Sequence, residues 1–291
     1  MVDTLKSQGY ETIALHPANS ANWNRFNVYQ DMGFDEFISL ENWEDEMETV
    51  HDQVRDKSVY EKLEEIGDHK EKGTKLFTFA VTIQNHGGYE KPIEEEIPLV
   101  SLEYDSAYPQ AETYLALINE SDRAFEKLIS HFETVEEPTM IVMFGDHLPG
   151  LSENFYDVLE QWEMTEAKIT ELEMNELTYQ TPYVLWTNYA QDSSADELMS
   201  ANYFGSYILQ QAGLEMPLYN RFLLSLKEKL PVIGMGAVCD RDGKWYLWDE
   251  LPKEYKEAVE QYKILQYNNI IDRKHTCEEI FSLGESAAGY E

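Results

Sequence analysis

An adjacent carboxylate and imidazole, Asp146 and His147, follow a run of apolar residues that ends in Gly145. The run 140–144 predicts a strand buried on both faces. Because open α/β sheets bind ligands beyond the carboxyl ends of their strands, we expect the two side chains to converge on one point there. One oxygen and one nitrogen donor suit a divalent ion such as Mn²⁺ or Zn²⁺. Taken alone, such a pair is more often a polar turn than a metal site.

Two more histidines, His16 and His86, also follow predicted strands. A single histidine at a strand end is usually a satisfied core or surface residue. Three at the carboxyl ends of strands in one chain favour a shared site at one sheet edge. Trp23 and Arg25 lie shortly after His16. A guanidinium can fork onto phosphate or sulfate oxygens, and an indole offers an apolar wall for a small alcohol or sugar. The ordinary alternative is a core tryptophan and a surface charge.

The charge of the chain restricts its partners. The 291 residues hold 22 Lys and Arg against 56 Asp and Glu, a formal net charge of −34. Such a charge argues against nucleic acid and anionic membrane surfaces, and a phosphate or sulfate site would need local positive charge from a metal or an arginine. The two cysteines, Cys239 and Cys277, show neither metal spacing nor a disulfide framework. No window of about 20 apolar residues predicts a membrane span.

Strands alternate with helices from residue 12 to about residue 212, which predicts a mostly parallel sheet with helices on both faces. Asp242-Gly243 predicts a β-hairpin in a small antiparallel annex. We expect one domain over residues 1–291, with a core at about 1–215 and the annex at about 216–291. The main predicted strands are 12–16, 37–39, 76–83, 140–144 and 182–186. The main predicted helices are 54–72, 111–133, 153–177, 195–212, 221–229 and 253–265.

Other polar groups carry weaker signals. The acidic runs 44–46 and 94–96 are typical of solvated surfaces, with a calcium site as the alternative. No Gly-rich phosphate loop and no nucleophile elbow occurs in the sequence, and no serine or threonine stands out as a nucleophile. The four remaining histidines receive no role: His51, His69, His131 and His275.

Together these residues resemble a known family. The sequence is similar to the extracellular sulfatase-type domain of lipoteichoic acid synthases and related phosphoglycerol transferases, in the alkaline phosphatase superfamily. The resemblance covers roughly residues 1–215. Four segments carry it: His16-x6-Trp23-x-Arg25 with Tyr29 and Gly33-Phe34 behind it, Phe79 to Gly87, Phe144 to Pro149, and Thr181 to Trp186.

The resemblance implies a three-layer α/β/α sandwich with a mostly parallel sheet. It implies that Asp146 and His147 bind one divalent ion, with Mn²⁺ favoured over Zn²⁺, Mg²⁺ or Ca²⁺. A glycerol-phosphate headgroup would lie among four residues: His16, Trp23, Arg25 and His86. Many members carry an acidic residue two places after the first histidine, where this chain has Ala18, so the headgroup itself stays open.

The family's threonine nucleophile and its acidic metal ligand would lie upstream of residue 1. The resemblance therefore implies an N-terminally truncated catalytic domain whose phospho-threonine chemistry needs the upstream part. Any membrane attachment, at the extracellular face of a bacterial membrane, would come from helices in that part. We expect the 291 residues alone to be inactive and to bind metal weakly.

Three functions remain open from the sequence. The first is a metal-dependent phosphoglycerol transferase of cell-envelope polymer synthesis, with a glycerol-phosphate lipid as substrate. The second is a hydrolase on the same scaffold, a sulfatase or phosphodiesterase that acts on sulfate or phosphate esters. The third is a binding domain without catalysis. The choice of water or an alcohol as acceptor separates the first two and is not encoded in a recognisable motif.

Overall fold

A computed structural model of the chain describes residues 1–44, 46–94, 97–102, 108–162, 170–189 and 197–284. Parts of four predictions lie outside these residues: Asp45 of the first acidic run, Glu95 and Glu96 of the second, 163–169 of the helix predicted at 153–177, and 195–196 of the helix predicted at 195–212.

Helices and strands alternate along the described residues. The strands are β1 (Tyr10–His16), β2 (Glu36–Ser39), β3 (Thr49–Val50), β4 (Gln53–Val54), β5 (Lys75–Ala80), β6 (Met140–Phe144), β7 (Tyr183–Thr187), β8 (Val232–Ile233), β9 (Ala237–Cys239) and β10 (Trp245–Leu247). The helices are α1 (Val2–Lys6), α2 (Arg25–Asp31), α3 (Asp56–His69), α4 (Pro109–Glu133), α5 (Glu153–Trp162), α6 (Glu171–Leu177), α7 (Ala201–Gln211), α8 (Leu218–Lys227), α9 (Lys253–Ile270) and α10 (Glu278–Phe281).

A parallel sheet in the order β2-β1-β5 positions the first histidine. The central strand β1 pairs Leu15 with Ile38 of β2 and with Ala80 of β5. Its carboxyl-terminal half is buried, and the burial extends to His16, which is 1% exposed. The last residue of the central strand therefore enters the interior of the protein instead of a surface turn.

Helices cover both faces of this sheet. Leu15 and Ile38 face the long helices α3 and α4, where Val59 and Leu128 complete an apolar cluster. The preceding residue of β2, Phe37, points to the other face because side chains alternate along a strand. There it meets Tyr29 of α2, with ring centroids 4.9 Å apart. This arrangement agrees with the mixed α/β class that the sequence predicts.

The strand before Asp146 differs from its prediction in two ways. β6 pairs antiparallel with β7, so that Ile141 lies opposite Trp186, whereas the sequence predicts a parallel neighbour. The strand is also half-buried instead of buried on both faces, and Met143 and Phe144 are exposed. A strand with one paired neighbour in a two-stranded ribbon leaves its other edge uncovered. Ile141 still packs against the apolar cluster beneath the parallel sheet.

The predicted strand 76–83 is shorter and less buried than expected. It occupies β5, an edge strand whose residues are at most half-buried. Its continuation bends away after Val81, which donates its N–H to the carbonyl of Leu15. The residues between Val81 and His86 form a loop instead of strand, which brings polar side chains to this edge of the sheet.

The C-terminal residues build a separate apolar cluster around a small antiparallel sheet. The sheet order is β10-β9-β8, and the β9–β10 turn contains Gly243 at φ +78°, as the Asp-Gly signal predicts. Helices α7, α8 and α9 cover one face of the sheet, where Tyr203, Leu226 and Val259 are buried together.

Helix α6 is attached to this annex through the carboxylate of Glu176. Burial raises the pKa of Glu176, opposed by hydrogen bonds from the backbone N–H groups of Gly236 and Ala237. A Cβ at Gly236 would stand 2.8 Å from its Oε1 atom, so a side chain there would displace the carboxylate. No helix in the described ranges is both long and apolar enough to cross a membrane.

Candidate active site

His16 uses both nitrogens of its ring within the protein. Its Nδ1 atom lies 2.8 Å from the carbonyl oxygen of Val81, and its Nε2 atom lies 3.0 Å from Nη1 of Arg25. Because a guanidinium only donates, Nε2 must accept, and the ring hydrogen belongs on Nδ1. Burial lowers the pKa of His16, and the charges of Arg25 and His86 lower it further, against the hydrogen bond to Val81. The ring is therefore neutral and orients the arginine.

Arg25 is fixed at the first position of α2 by two contacts. His16 accepts one of its N–H groups, and the face of Trp23 lies 4.9 Å from the guanidinium carbon. A guanidinium has five N–H donors, so the half-buried side chain keeps several for a ligand. An arginine held in this way supplies the local positive charge that an anion needs in a protein of net charge −34.

An unusual backbone turn presents the indole. Trp23 and Asn24 are consecutive residues in the left-handed region, with φ values of 52° and 56°. Asparagine tolerates this conformation, whereas a tryptophan there is strained. The turn leaves Trp23 67% exposed, with its ring edge-on to His86 at a centroid distance of 5.9 Å. The exposed indole and imidazole thus stand beside the arginine.

The structure brings together the four residues that the sequence predicts around a headgroup: His16, Trp23, Arg25 and His86. His16 lies beneath the others, because it is buried and already has both ring nitrogens bonded. The surface available to a ligand is a forked cation, an aromatic face and a second imidazole. These groups suit a phosphate or sulfate ester whose alcohol part is small and polar. Their roles in binding stay a prediction.

Asp146 and His147 occupy a different environment. Their side chains are 80% and 74% exposed, and His147 Nδ1 lies 2.8 Å from the carbonyl oxygen of Leu148. The Nε2 atom of His147 stands 3.6 Å from Oδ2 of Asp146. Bonds to zinc are about 2.0–2.2 Å long, so one ion can touch both atoms. The pair fits two places of a coordination shell.

The residues that the structure describes do not supply further ligands beside Asp146 and His147 for a complete coordination shell. No group of three or more His, Cys, Asp or Glu side chains among them is placed to hold an ion. Three of the four histidines without a predicted role have local partners: His51 faces the carbonyl of Lys91, His131 faces Asp68, and His275 faces Asp272. Asp146 and His147 as metal ligands stay a prediction.

The sequence analysis missed a polar cluster beside the pocket. Asp56, Gln84 and Ser121 come from α3, the loop after β5 and α4, and they bond to one another in the interior. One signal was available: Ser121 falls at apolar spacing on α4, between Leu117 and Leu128. A polar residue inside an apolar stripe indicates a buried partner.

The structure is that of an α/β protein in which an arginine, an indole and two imidazoles lie together at the carboxyl end of a parallel sheet. The chain belongs to the sulfatase family, whose model matches residues 1–214. A protein of Rhizobium meliloti (strain 1021), named for cyclic beta-1,2-glucan modification, is 27% identical over 285 residues. The match covers 95% of this chain and 43% of that protein, so the chain spans less than half of its relative.

Solved structures with the same fold support this placement. The Streptococcus pyogenes phosphoglycerol transferase GacH, in complex with sn-glycerol-1-phosphate, aligns with a TM-score of 0.68 at 22% identity, over 95% of this chain and 66% of that one. The lipoteichoic acid synthase LtaP from Listeria monocytogenes aligns at 0.61 with 16% identity, over 91% and 70%. The periplasmic domain of EptC from Escherichia coli, in complex with zinc, aligns at 0.53 with 18% identity, over 82% and 70%.

Proposed function

We propose that this chain carries the headgroup-binding part of a metal-dependent phosphoglycerol transferase of cell-envelope polymer synthesis. The observation that carries the proposal is the fixed Arg25, held between the buried, neutral His16 and the exposed Trp23, with His86 alongside. GacH, with the same fold, is described in complex with sn-glycerol-1-phosphate. The nucleophilic threonine would be supplied by sequence outside these 291 residues.

Each pocket residue has a role that its geometry supports. The free N–H groups of Arg25 bind the phosphate oxygens as a fork, because guanidinium and phosphate geometries match. Trp23 packs against the glycerol carbons, and His86 hydrogen-bonds to a glycerol hydroxyl. His16 remains neutral and keeps the arginine in place. The negative charge of the whole chain makes this local cation decisive for binding an anionic headgroup.

The proposed reaction has two displacements. The threonine hydroxyl loses its proton and attacks phosphorus, and the lipid part of the donor leaves with the electron pair and takes up a proton as an alcohol. An acceptor hydroxyl then attacks the phospho-threonine, which restores the threonine. Asp146 and His147 would contribute two ligands to a divalent ion, Mn²⁺ by the family resemblance, although the related EptC structure holds zinc. Such an ion, when bound, stabilises negative charge on phosphoryl oxygens.

The relatives support a proposal for the acceptor and the location. The Rhizobium relative is named for glucan modification, and LtaP is a lipoteichoic acid synthase. We therefore propose that the acceptor is a hydroxyl of an envelope glycan or glycerol-phosphate polymer. We place the reaction at the extracellular face of a bacterial membrane, where both lipid donors and such acceptors occur.

Ligand binding by the 291-residue chain tests the headgroup. Isothermal titration calorimetry compares sn-glycerol 1-phosphate with methyl phosphate and phenyl sulfate. We expect glycerol phosphate to bind most tightly, because only it occupies both Arg25 and the Trp23–His86 side of the pocket. Tighter binding of phenyl sulfate would contradict the proposal and support a sulfatase instead.

Turnover separates the remaining alternatives. We expect the 291-residue chain to hydrolyse neither a phosphodiester nor a sulfate ester, since the proposal assigns the nucleophile to none of its residues. Measured turnover of either ester by this chain would overturn the assignment of the nucleophile. A version extended upstream is expected to transfer glycerol phosphate to an alcohol acceptor in the presence of Mn²⁺. Ligand binding without any transfer by that version would favour a binding domain.

A further inference from the structure

A buried polar cluster joins three elements behind the pocket. Asp56 is the first residue of α3, Gln84 lies in the loop after β5, and Ser121 lies in the middle of α4. Asp56 and Gln84 are both at most 2% exposed. Neither belongs to the residues that would touch a headgroup, and the proposed chemistry does not use them.

The hydrogen bonds in this cluster centre on the hydroxyl of Ser121. Ser121 donates to Oδ2 of Asp56 at 2.7 Å and accepts from Nε2 of Gln84 at 3.1 Å and from Nδ2 of Asn85 at 2.8 Å. A serine hydroxyl has one hydrogen and two lone pairs, so its capacity is fully used. Gln84 also accepts from the N–H of Asp56 at 2.8 Å and donates to the carbonyl of Leu117.

This cluster holds the loop 81–86, which contacts His16 at its first residue and ends at His86. That first residue, Val81, accepts the Nδ1 hydrogen of His16, and Asn85 is followed directly by His86. The backbone N–H of His86 donates to the carbonyl of Ile83, which closes a turn in the loop. The side chains of Gln84 and Asn85 therefore anchor the residues just before His86 to α3 and α4.

We propose that Asp56, Gln84 and Ser121 are positioning residues that hold His86 against Trp23 in the headgroup pocket. The inference rests on the proposed function for its ligand. Its geometry stands independently, in the hydrogen bonds between α3, α4 and the loop.

A purely structural role explains the cluster less well. Burial raises the pKa of Asp56, against the hydrogen bonds from Ser121 and Thr82. Removing a carboxyl from water is costly, and apolar residues of similar size would pack α3 against α4 at least as favourably. The hydrogen bonds that meet at the Ser121 hydroxyl instead restrict the conformation of the chain that they join. Here that chain is the loop that carries His86.

Nuclear magnetic resonance of the 291-residue chain tests the inference through two probes. These are the indole N–H of Trp23 and the imidazole Cε1–H of His86, assigned with Trp23→Phe and His86→Gln. In Ser121→Ala we expect both resonances to shift or broaden, because Gln84 and Asn85 lose their shared acceptor. We also expect the affinity for sn-glycerol 1-phosphate to fall about tenfold, as for the loss of one good contact.

Ser130→Ala is the matched control, since Ser130 lies on the exposed side of α4 and bonds only locally, to the carbonyl of Glu126. It should change neither resonance nor affinity. Asn85→Ala removes one bond to the same hydroxyl from a half-buried position, and a smaller shift of both resonances is expected. This second variant decides the question if Ser121→Ala does not fold.

The two proposals fail in different ways. If the unmodified chain binds glycerol phosphate and Ser121→Ala or Asn85→Ala leaves both resonances and the affinity unchanged, the positioning role is wrong and the proposed function stands. If the unmodified chain does not bind the ligand but the resonances still move in the variants, the proposed headgroup is wrong and the positioning role stands.

Discussion

The pocket around Arg25 and the loop of Asp146 and His147 follow the same sequence pattern but have different surroundings. Both lie at the end of a strand and contain a histidine. His16 is buried, neutral and bonded through both nitrogens, whereas the side chain of His147 is 74% exposed and contacts its own neighbours. The difference lies in the strands. β1 is the centre of a parallel sheet, and β6 belongs to a two-stranded antiparallel ribbon.

This contrast shows that the two regions differ in how many of their ligand-binding groups are already held in place. The described residues fix the cation, the aromatic face and the loop of His86 before any ligand arrives, which lowers the cost of ordering them on binding. Asp146 and His147 have two donor atoms within reach of one ion and no third ligand among the described residues. The pocket should therefore bind its ligand without assistance, whereas the loop of Asp146 and His147 should need further ligands to hold a metal ion.

Removal of the fixed cation should have the largest effect. In Arg25→Ala, the affinity for sn-glycerol 1-phosphate should fall by about 3 kcal/mol, or roughly 100-fold, because a charged fork to phosphate is lost. Calorimetry measures the change. Arg221→Ala is the control, since Arg221 is exposed on α8, and it should bind as the unmodified chain does. Equal affinities in all three proteins would mean that the pocket does not bind the phosphate.

The strand end before Asp146 should be sensitive to added volume although the loop after it is exposed. A Cβ at Gly145 would stand 3.0 Å from Cβ of Thr181, whose hydroxyl donates to the carbonyl of Gly145. Gly145→Ala should lower the free energy of unfolding by about 1–2 kcal/mol through overpacking.

Urea denaturation compares Gly145→Ala with Gly150→Ala, where an added Cβ meets nothing within 4 Å. The second substitution should leave the free energy of unfolding within about 0.5 kcal/mol of the unmodified chain. Equal stabilities of the two variants would show that Thr181 moves to accommodate the added Cβ with no loss of stability.

The lowered pKa of His16 predicts a pH dependence of stability. The unfolded chain, with a histidine pKa of about 6.5, takes up a proton before the folded chain does. The stabilisation is complete above about pH 6.5 and is lost as the pH falls from there towards the lower pKa of the folded state.

The variant His16→Gln separates the titration of His16 from the titration of the many carboxylates in the chain. A glutamine can donate to Val81 and accept from Arg25 without titrating. Unfolding free energies of both proteins are measured between pH 8 and pH 5. We expect the unmodified chain to lose more stability than the variant over the acidic part of this range. Parallel curves would show that His16 does not titrate differently in the folded and unfolded states.

Substitutions of Asp146 and His147 should have the smallest effect on stability. Asp146→Asn and His147→Gln should change the free energy of unfolding in EDTA by less than about 0.5 kcal/mol, because both side chains are exposed. Denaturant titration measures the change. A loss above about 1 kcal/mol in either variant would mean that this loop is packed as firmly as the pocket.

The local features of this chain were accessible from its sequence because they depend on neighbouring residues. The amphipathic helix α4, the strand before His16 and the turn at Gly243 each follow from spacing or from one residue type. The residues of the pocket could also be predicted from the sequence, because each lies near the end of a predicted strand. The pattern of an arginine, an indole and two imidazoles near strand ends predicts anion binding. It does so on the condition that the strands are parallel neighbours, because their carboxyl ends then meet at one edge of the sheet.

Contacts between distant residues were not accessible. Nothing near Met140 to Phe144 shows that the strand pairs antiparallel with β7, because strand partners are set by the packing of whole elements. Likewise, Asp56 and Ser121 are 65 residues apart, and only the folded chain brings them together beside the loop of His86.

The sequence by itself determined which chemical groups are available: a guanidinium fork, an aromatic wall, and an adjacent carboxylate and imidazole. The tertiary structure decided which of these groups is held in place. His16 lies in a sheet where paired strands and packed helices exclude water, so its nitrogens bond to the protein and fix Arg25. Asp146 and His147 follow a half-covered ribbon, where solvent leaves their side chains exposed.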